Sequence, residues 1–181
     1  FKMSKRAGEF ISAKDLLKEV NKDLIRFMML NRSNDVELDF DFDKVKEKTK
    51  DNPVFYVQYA FARINSLHRS LDIDLNSKII LNEKTFKLNS NEEKIIRKIF
   101  EWPKVIESAS KKFEIHKIPF YLYDLATLFH SYWSKGNENK KYKFIEGKKI
   151  KRIEILAILN LITIVIQNGM KILGVSLPKE M

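Results

Sequence analysis

Residues 52–63 read Asn-Pro-Val-Phe-Tyr-Val-Gln-Tyr-Ala-Phe-Ala-Arg, and this stretch does most to decide the fold. Pro53 marks a break or a fresh helix start in a pattern that is helical from residue 44 onward. Tyr56, Tyr59 and Arg63 occupy positions i, i+3 and i+7, so they share one face of the predicted helix. Such a stripe offers the stacking surfaces, hydroxyls and phosphate contact typical of RNA binding. The alternative is that the tyrosines belong to the core, with their hydroxyls satisfied at its edge.

The segment before this stretch is predicted to be mixed. Apolar residues recur at helical spacing from Ser12, a predicted N-cap, to about Asn31, which indicates one helix. Residues 36–43 then alternate strictly between apolar and acidic side chains, which indicates an extended segment.

The segment after this stretch is predicted to be helical. Helices are expected at about 91–102, 103–114, 119–136 and 150–173, with Gly174 as the cap of the last. The predicted fold class is therefore mainly α, with a short mixed α/β segment (residues 1–44) preceding a helical bundle (residues 45–181).

Composition limits the classes of protein to consider. Lys and Arg number 34 against 24 Asp and Glu, and the formal charge of +10 favours a polyanionic partner, either nucleic acid or an anionic membrane surface. Base-composition drift is the other explanation for so much lysine. The absence of cysteine excludes disulfides and thiolate sites, and the three histidines show no metal-ligand spacing. We therefore expect no metal site. The most apolar run, 153–166, is too short to span a bilayer, so we expect a cytoplasmic protein without membrane contact.

A second candidate surface lies in residues 124–137, which read Asp-Leu-Ala-Thr-Leu-Phe-His-Ser-Tyr-Trp-Ser-Lys-Gly-Asn. Phe129 and Trp133 are one helical turn apart and form an aromatic pair near a predicted helix end. Beside the basic loop at 140–149, exposed aromatics would make a platform for unstacked bases. The alternative is an aromatic pair within the core.

A third candidate is electrostatic. Lys148, Lys149, Lys151 and Arg152 cluster where the last helix is predicted to begin, although the helix dipole makes cations unfavourable there. A local rule broken without visible compensation points to a phosphate backbone nearby. A solvated lysine-rich surface is the competing explanation.

Near the start, residues 2–6 read Lys-Met-Ser-Lys-Arg and suit a loop that folds over a polyphosphate. The lysine ammonium groups would act as point charges and Ser4 as a small hydroxyl donor. Residues 2–5 match the Lys-Met-Ser-Lys motif of class I aminoacyl-tRNA synthetases letter for letter. The position of the stretch also resembles that of the motif, because a helical region follows it.

The order of these motifs resembles arginyl-tRNA synthetases along essentially the whole chain. The stretch at 52–63 is similar to the opening helix of their anticodon-binding domain, and the stretch at 124–137 to a later helix. The tail, ending in Met181, is similar to the family's C-terminus. Phe61 departs from the family pattern, because bacterial members usually carry His there.

The resemblance implies roles for individual residues. Lys2, Ser4 and Lys5 would act in catalysis, and Lys2, Met3, Ser4, Lys5 and Arg6 would bind ATP. The implied tRNA-binding residues are Tyr56, Gln58, Tyr59, Arg63, Phe129, Trp133 and Met181, to which the charge pattern adds Lys148, Lys149 and Arg152.

The resemblance also implies the role of the whole chain. Residues 1–44 would hold the ATP loop and the tail of the catalytic domain, which contacts the tRNA stem, and residues 45–181 would bind the anticodon arm of an arginine tRNA. ATP, with Mg²⁺, and arginine would bind through a catalytic half that precedes this chain, so we expect no aminoacylation by the chain alone. The alternatives are a non-catalytic, basic RNA-binding bundle and a purely structural helical domain.

Overall fold

The computed structural model describes residues 12–33, 35, 36, 47, 49, 51–73, 79–81 and 86–181. The predicted ATP loop at residues 2–6 and most of the predicted extended segment at 36–43 lie outside these residues. The elements are, in chain order, α1 (Ala13–Glu19), α2 (Lys22–Leu30), α3 (Pro53–Leu71), α4 (Ser90–Phe100), α5 (Trp102–Lys112), α6 (Lys117–Glu138), a 3-10 turn (Lys140–Tyr142), β1 (Ile145–Glu146), β2 (Lys149–Ile150) and α7 (Ile153–Leu173). The prediction of a mainly α fold is confirmed.

Local capping sets the start of α3 and the end of α7. The side chain of Asn52 accepts a hydrogen bond from the amide of Phe55 at 3.3 Å, and Pro53 occupies the first turn, where a missing N–H costs nothing. Gly174 adopts a left-handed conformation, with φ of 65°, directly after α7. The predicted fresh start at Pro53 and the predicted cap at Gly174 are both confirmed.

The prediction of one helix from Ser12 to Asn31 is wrong. Val20 is extended, and the side chain of Asn21 accepts from the amide of Asp23 at 2.8 Å, so a second helix begins there. Asparagine competes with helical backbone hydrogen bonds and favours caps. The apolar spacing continues across the break because Val20 and Ile25 bury themselves in one small cluster between α1 and α2.

Two other boundaries move by a few residues. The predicted boundary between residues 102 and 103 is displaced, because α4 ends at Phe100 and Pro103 lies in the first turn of α5. Helix α7 begins at Ile153 because residues 145–150 form a small antiparallel hairpin, in which Ile145 pairs with Ile150 and Glu146 with Lys149.

Helix α6 is the centre of the bundle and packs against α3, α4, α5 and α7. The largest fully buried side chains of this core are Phe27, Ile64, Ile95, Ile118, Leu122, Leu125, Phe129, Leu159, Ile162, Ile166, Met170 and Leu173. Phe27 belongs to α2, so the first part of the chain is tied to the bundle through that helix.

Helix α7 extends beyond the apolar run at 153–166, which by itself is too short to span a bilayer. Among the described residues it is the one helix whose length and composition would suit a membrane span, with a mean hydropathy of 1.7. However, 61% of that window is buried inside the protein. The helix therefore has the environment of a core helix.

Candidate nucleic-acid interface

An open cavity of about 590 Å³ lies between α3, the last turns of α6, the hairpin and the C-terminal tail. We call it the α3–α6 cavity. Its walls include Tyr59, Arg63, Arg69, Trp133, Ile145 and Met181. Its volume lies within the range of small-molecule and cofactor sites. Three of the predicted tRNA-binding residues besides Met181 therefore meet at one concave surface.

Arg63 is held in this cavity by aromatic rings. Its guanidinium carbon lies 4.3 Å from the ring centroid of Tyr59 and 5.0 Å from that of Trp133, and one of its nitrogens donates to the Tyr59 hydroxyl. Within the described part of the chain, no carboxylate lies within ion-pair distance of it. Since a guanidinium has five donors, most of them remain for an incoming anion or base edge.

His130 positions this arginine, and the sequence reasoning missed it. One ring nitrogen, Nε2, lies 3.1 Å from the carbonyl oxygen of Tyr56, which can only accept, so Nε2 carries the proton. Burial lowers the pKa of His130 to about 4, and the charge of Arg63 acts in the same direction. The neutral ring therefore offers Nδ1 to Arg63 across 3.4 Å.

The same histidine confirms that the stripe on α3 shares one face. The rings of Tyr56 and Tyr59 both pack on His130, with centroids 4.4 and 5.4 Å away. Tyr56 is half-buried between His130 and Tyr123, and burial raises the pKa of its hydroxyl. Tyr56 therefore supports the cavity from behind. The signal that could have found His130 is its place on α6 between Phe129 and Trp133.

Phe129 and Trp133 form the predicted pair, with centroids 5.9 Å apart, but their environments differ. Phe129 is 0% exposed, so the prediction that it offers a face to a base is wrong for this structure. Phe144, which follows the 3-10 turn, folds over α6 and packs on both rings. Trp133 remains partly exposed and lines the cavity.

The C-terminal tail is tied down beside the cavity by side chains of α3. The amide nitrogen of Gln58 donates to the carbonyl oxygen of Ser176 at 2.9 Å, so this predicted tRNA-binding side chain holds the tail. Arg69 donates to the carbonyl oxygen of Lys179 at 3.1 Å and pairs with Glu180 at 3.4 Å. These contacts place Met181, which is 54% exposed, at the cavity wall.

The phosphate role predicted for Arg152 does not fit its surroundings. Its guanidinium pairs with Glu92, which is 0% exposed, and donates to the carbonyl oxygen of Lys87 at 2.9 Å. Glu92 also accepts from the hydroxyl of Tyr132 at 2.7 Å and from the amide of Asn89 at 2.8 Å. The cation at the start of α7 is thus compensated by a carboxylate 60 residues away, which local sequence cannot reveal.

The remaining cations predicted for tRNA lie apart from the cavity. Lys148 and Lys149 are exposed on the hairpin and do not line the α3–α6 cavity.

The residues predicted to bind ATP lie outside the described residues; they are Lys2, Met3, Ser4, Lys5 and Arg6. Within the described ranges, no group of three or more His, Cys, Asp or Glu side chains could hold a metal ion.

Two curated relatives of this chain have the same description. It is 50% identical over 181 residues to an arginine–tRNA ligase of Pelagibacter ubique, covering 100% of this chain and 31% of that protein. It is 43% identical to an arginine–tRNA ligase of Rhizobium meliloti, covering 99% of this chain and 32% of that protein. The chain thus spans about a third of the length of these curated relatives.

Solved structures have the same fold. A Campylobacter jejuni chain assigned as an arginyl-tRNA synthetase superposes with a TM-score of 0.83 at 25% identity, covering 100% of this chain and 37% of that one. A Thermus thermophilus arginyl-tRNA synthetase gives 0.64 at 18% identity, with coverage of 98% and 29%. The family model described as the DALR anticodon binding domain matches residues 57–181, which include every residue that lines the α3–α6 cavity. By this match the chain belongs to the DALR anticodon-binding domain family.

Proposed function

We propose that this chain is the C-terminal, tRNA-binding part of an arginine–tRNA ligase and that the α3–α6 cavity receives an unpaired base of the anticodon arm. The observation that carries the proposal is the convergence of Tyr59, Arg63 and Trp133 on one cavity within a DALR-family chain. The relatives named arginine–tRNA ligase support an arginine tRNA as the partner.

The cavity suits a base because it combines a flat ring with unused donors. An unstacked base can contact the exposed part of the Trp133 indole beside the guanidinium of Arg63, and base–aromatic stacking contributes about 1–3 kcal/mol per base. The free N–H groups of Arg63 would then bond to the base edge or to its phosphate. Met181, held by the tail contacts, would close the opposite side.

In the whole enzyme, ATP would activate arginine before its transfer to tRNA. The resemblance assigns this chain the loop at residues 2–6, where Lys2 and Lys5 would stabilise the charge that grows on the departing pyrophosphate. Ser4 would donate to the phosphates, with Met3 and Arg6 completing the loop, and ATP would enter with Mg²⁺. Residues 1–44 would belong to the catalytic unit and residues 45–181 to the anticodon-binding unit of a cytoplasmic enzyme. The arginine site would lie in the rest of the enzyme, so we expect this chain alone to form no arginyl-tRNA.

The direct test is binding of the 181-residue chain to an arginine tRNA and to a non-cognate tRNA over a salt series. We expect the chain to prefer the arginine tRNA. Trp133→Leu and Arg63→Met should each reduce that preference, measured as the ratio of the two affinities, by about tenfold or more. The matched controls are Trp102→Leu and Arg97→Met. Trp102 packs on Tyr121, about 18 Å along α6 from Trp133.

Two results would contradict the proposal. Equal affinity for both tRNAs, with purely salt-driven binding, would indicate a non-catalytic basic RNA-binding bundle instead. Equal losses from the cavity variants and from their matched controls would remove the cavity from the binding site.

A further inference from the structure

A second cavity, of about 340 Å³, adjoins the α3–α6 cavity at Trp133. We call it the hairpin cavity. It is lined by Trp133, Asn137, Tyr142, Lys143, Phe144 and Ile145, together with the backbone at Gly136 and Gly147. Trp133 and Ile145 also line the α3–α6 cavity, so the two cavities share a wall.

The sequence builds the hairpin cavity by folding the chain back over the end of α6. A Cβ atom on Gly136 would lie 3.1 Å from the carbonyl oxygen of Tyr142, so glycine permits this close approach. Asn139 accepts from the amide of Lys141 at 2.9 Å and starts the 3-10 turn. Gly147, with φ of 60°, then turns the hairpin.

The shared wall is a fixed aromatic ring. The ring of Phe144 meets the indole of Trp133 edge-on, at 5.4 Å between centroids and 86° between planes. Arg63 lies 5.0 Å from the same indole on the side of the α3–α6 cavity. An aromatic ring held between two open cavities can contact one base in each, because every base has a π-face.

The segment that forms the hairpin cavity is basic, and one of its lysines, Lys143, lines the cavity. Residues 140–151 hold six lysines and a single glutamate, Glu146, whose strand partner is Lys149. The ammonium group of Lys151 donates to the carbonyl oxygen of Lys140, whereas Lys143 lines the cavity and has no carboxylate partner within the described part of the chain. A nucleotide brings the phosphate that such a surface favours.

We propose that the hairpin cavity binds the nucleotide adjacent in the RNA strand to the one in the α3–α6 cavity. Its unpaired base contacts the Trp133 indole and the Tyr142 ring, the amide of Asn137 meets its edge, and Lys143 meets its phosphate. This subsite rests on the proposed function, since it needs the same RNA strand to occupy both cavities. It makes Trp133 the divider between two neighbouring bases.

The test uses the 181-residue chain and an RNA hairpin with the anticodon arm of an arginine tRNA, in which each loop nucleotide is made abasic in turn. Abasic replacement of a nucleotide bound by stacking should lower affinity by about 5- to 150-fold. The protein variants are Asn137→Phe, which fills the hairpin cavity, Lys143→Met, and Arg63→Met in the α3–α6 cavity. Lys104→Met, an exposed lysine on α5, is the matched control for Lys143→Met.

We expect two neighbouring loop positions to be sensitive. Asn137→Phe should abolish the abasic penalty at one of them and leave the other intact, Arg63→Met should do the reverse, and Trp133→Leu should reduce both. If Asn137→Phe and Lys143→Met leave every penalty unchanged while Arg63→Met still removes one, the hairpin subsite is wrong and the proposed function survives. If the unmodified hairpin shows no preference over a non-cognate hairpin, the proposed function itself fails.

Discussion

Replacing Arg152 with alanine separates a structural role from the RNA contact that its sequence position predicted. The guanidinium lies against Glu92, a carboxylate that is 0% exposed and that also accepts from Tyr132 and from the amide of Asn89. Burial raises the pKa of the Tyr132 hydroxyl, so this group stays a neutral donor and cannot replace the lost charge. Arg152→Ala would leave a buried carboxylate without its cation.

The size of the effect follows from the burial of the two partners. Removing one member of a fully buried ion pair costs about 3–5 kcal/mol. The Arg152 side chain is 36% exposed, so water reaches the pair and the expected cost is lower, about 2–3 kcal/mol. In a chain of this length that corresponds to a decrease in Tm of about 4–12 °C.

The assay is thermal unfolding followed by circular dichroism, for Arg152→Ala, Glu92→Gln and the double variant. Because Glu92→Gln removes the buried charge, we expect the double variant to lose less stability than the sum of the single variants. Lys149→Ala, a nearby exposed cation, is the control. A change in Tm of less than 1 °C for Arg152→Ala would refute the structural role, and a salt slope of RNA binding reduced by about 0.7–0.9 would support the phosphate contact instead.

Three further predictions concern other parts of the molecule. The Tm of the wild type should fall more steeply than that of His130→Gln between pH 7 and 5, because the unfolded histidine takes up protons near its ordinary pKa while burial keeps the folded pKa at about 4. Parallel curves would contradict the depressed pKa. Gly169→Ala should lower the free energy of unfolding by about 1–3 kcal/mol in urea, since the new Cβ would lie 2.8 Å from methyl carbons of Leu122; Asn168→Ala, on the exposed face, is its control. Gln58→Ala should speed amide hydrogen exchange in residues 174–181 but not in α5, because it removes the bond to the tail; unchanged exchange would show that other contacts hold the tail.

Local sequence signals predicted the start of α3 and the end of α7, whereas the boundary predicted at Pro103 was displaced by one to two residues. Pro53 and Gly174 have one favourable backbone placement each, and the structure uses both. The break at Asn21 was missed because apolar spacing continues across it, and periodicity cannot distinguish one amphipathic helix from two that bury the same face. Here the capping side chain decided the boundary.

The candidate site was predictable to the level of a helix face. Spacing placed Tyr59 and Arg63 together on α3, and a one-turn separation paired Phe129 with Trp133. Spacing did not show which ring of that pair stays open to solvent. Phe144 decides it by covering Phe129, and the path of that covering segment depends on the close approach of backbone at Gly136.

Three arginines show why charge alone was a poor guide to the site. Arg152 pairs with the buried carboxylate of Glu92, and Arg69 pairs with Glu180 and donates to a carbonyl oxygen of the tail. Both charges therefore already have partners within the protein. The described neighbours of Arg63 are all neutral: a tyrosine hydroxyl, a histidine held neutral by burial, and two aromatic rings. A half-buried cation with neutral partners keeps its charge and most of its donors for a ligand. Under the proposed function Arg63 would therefore make a specific contact with the RNA, whereas the exposed lysines would contribute mainly to its long-range attraction.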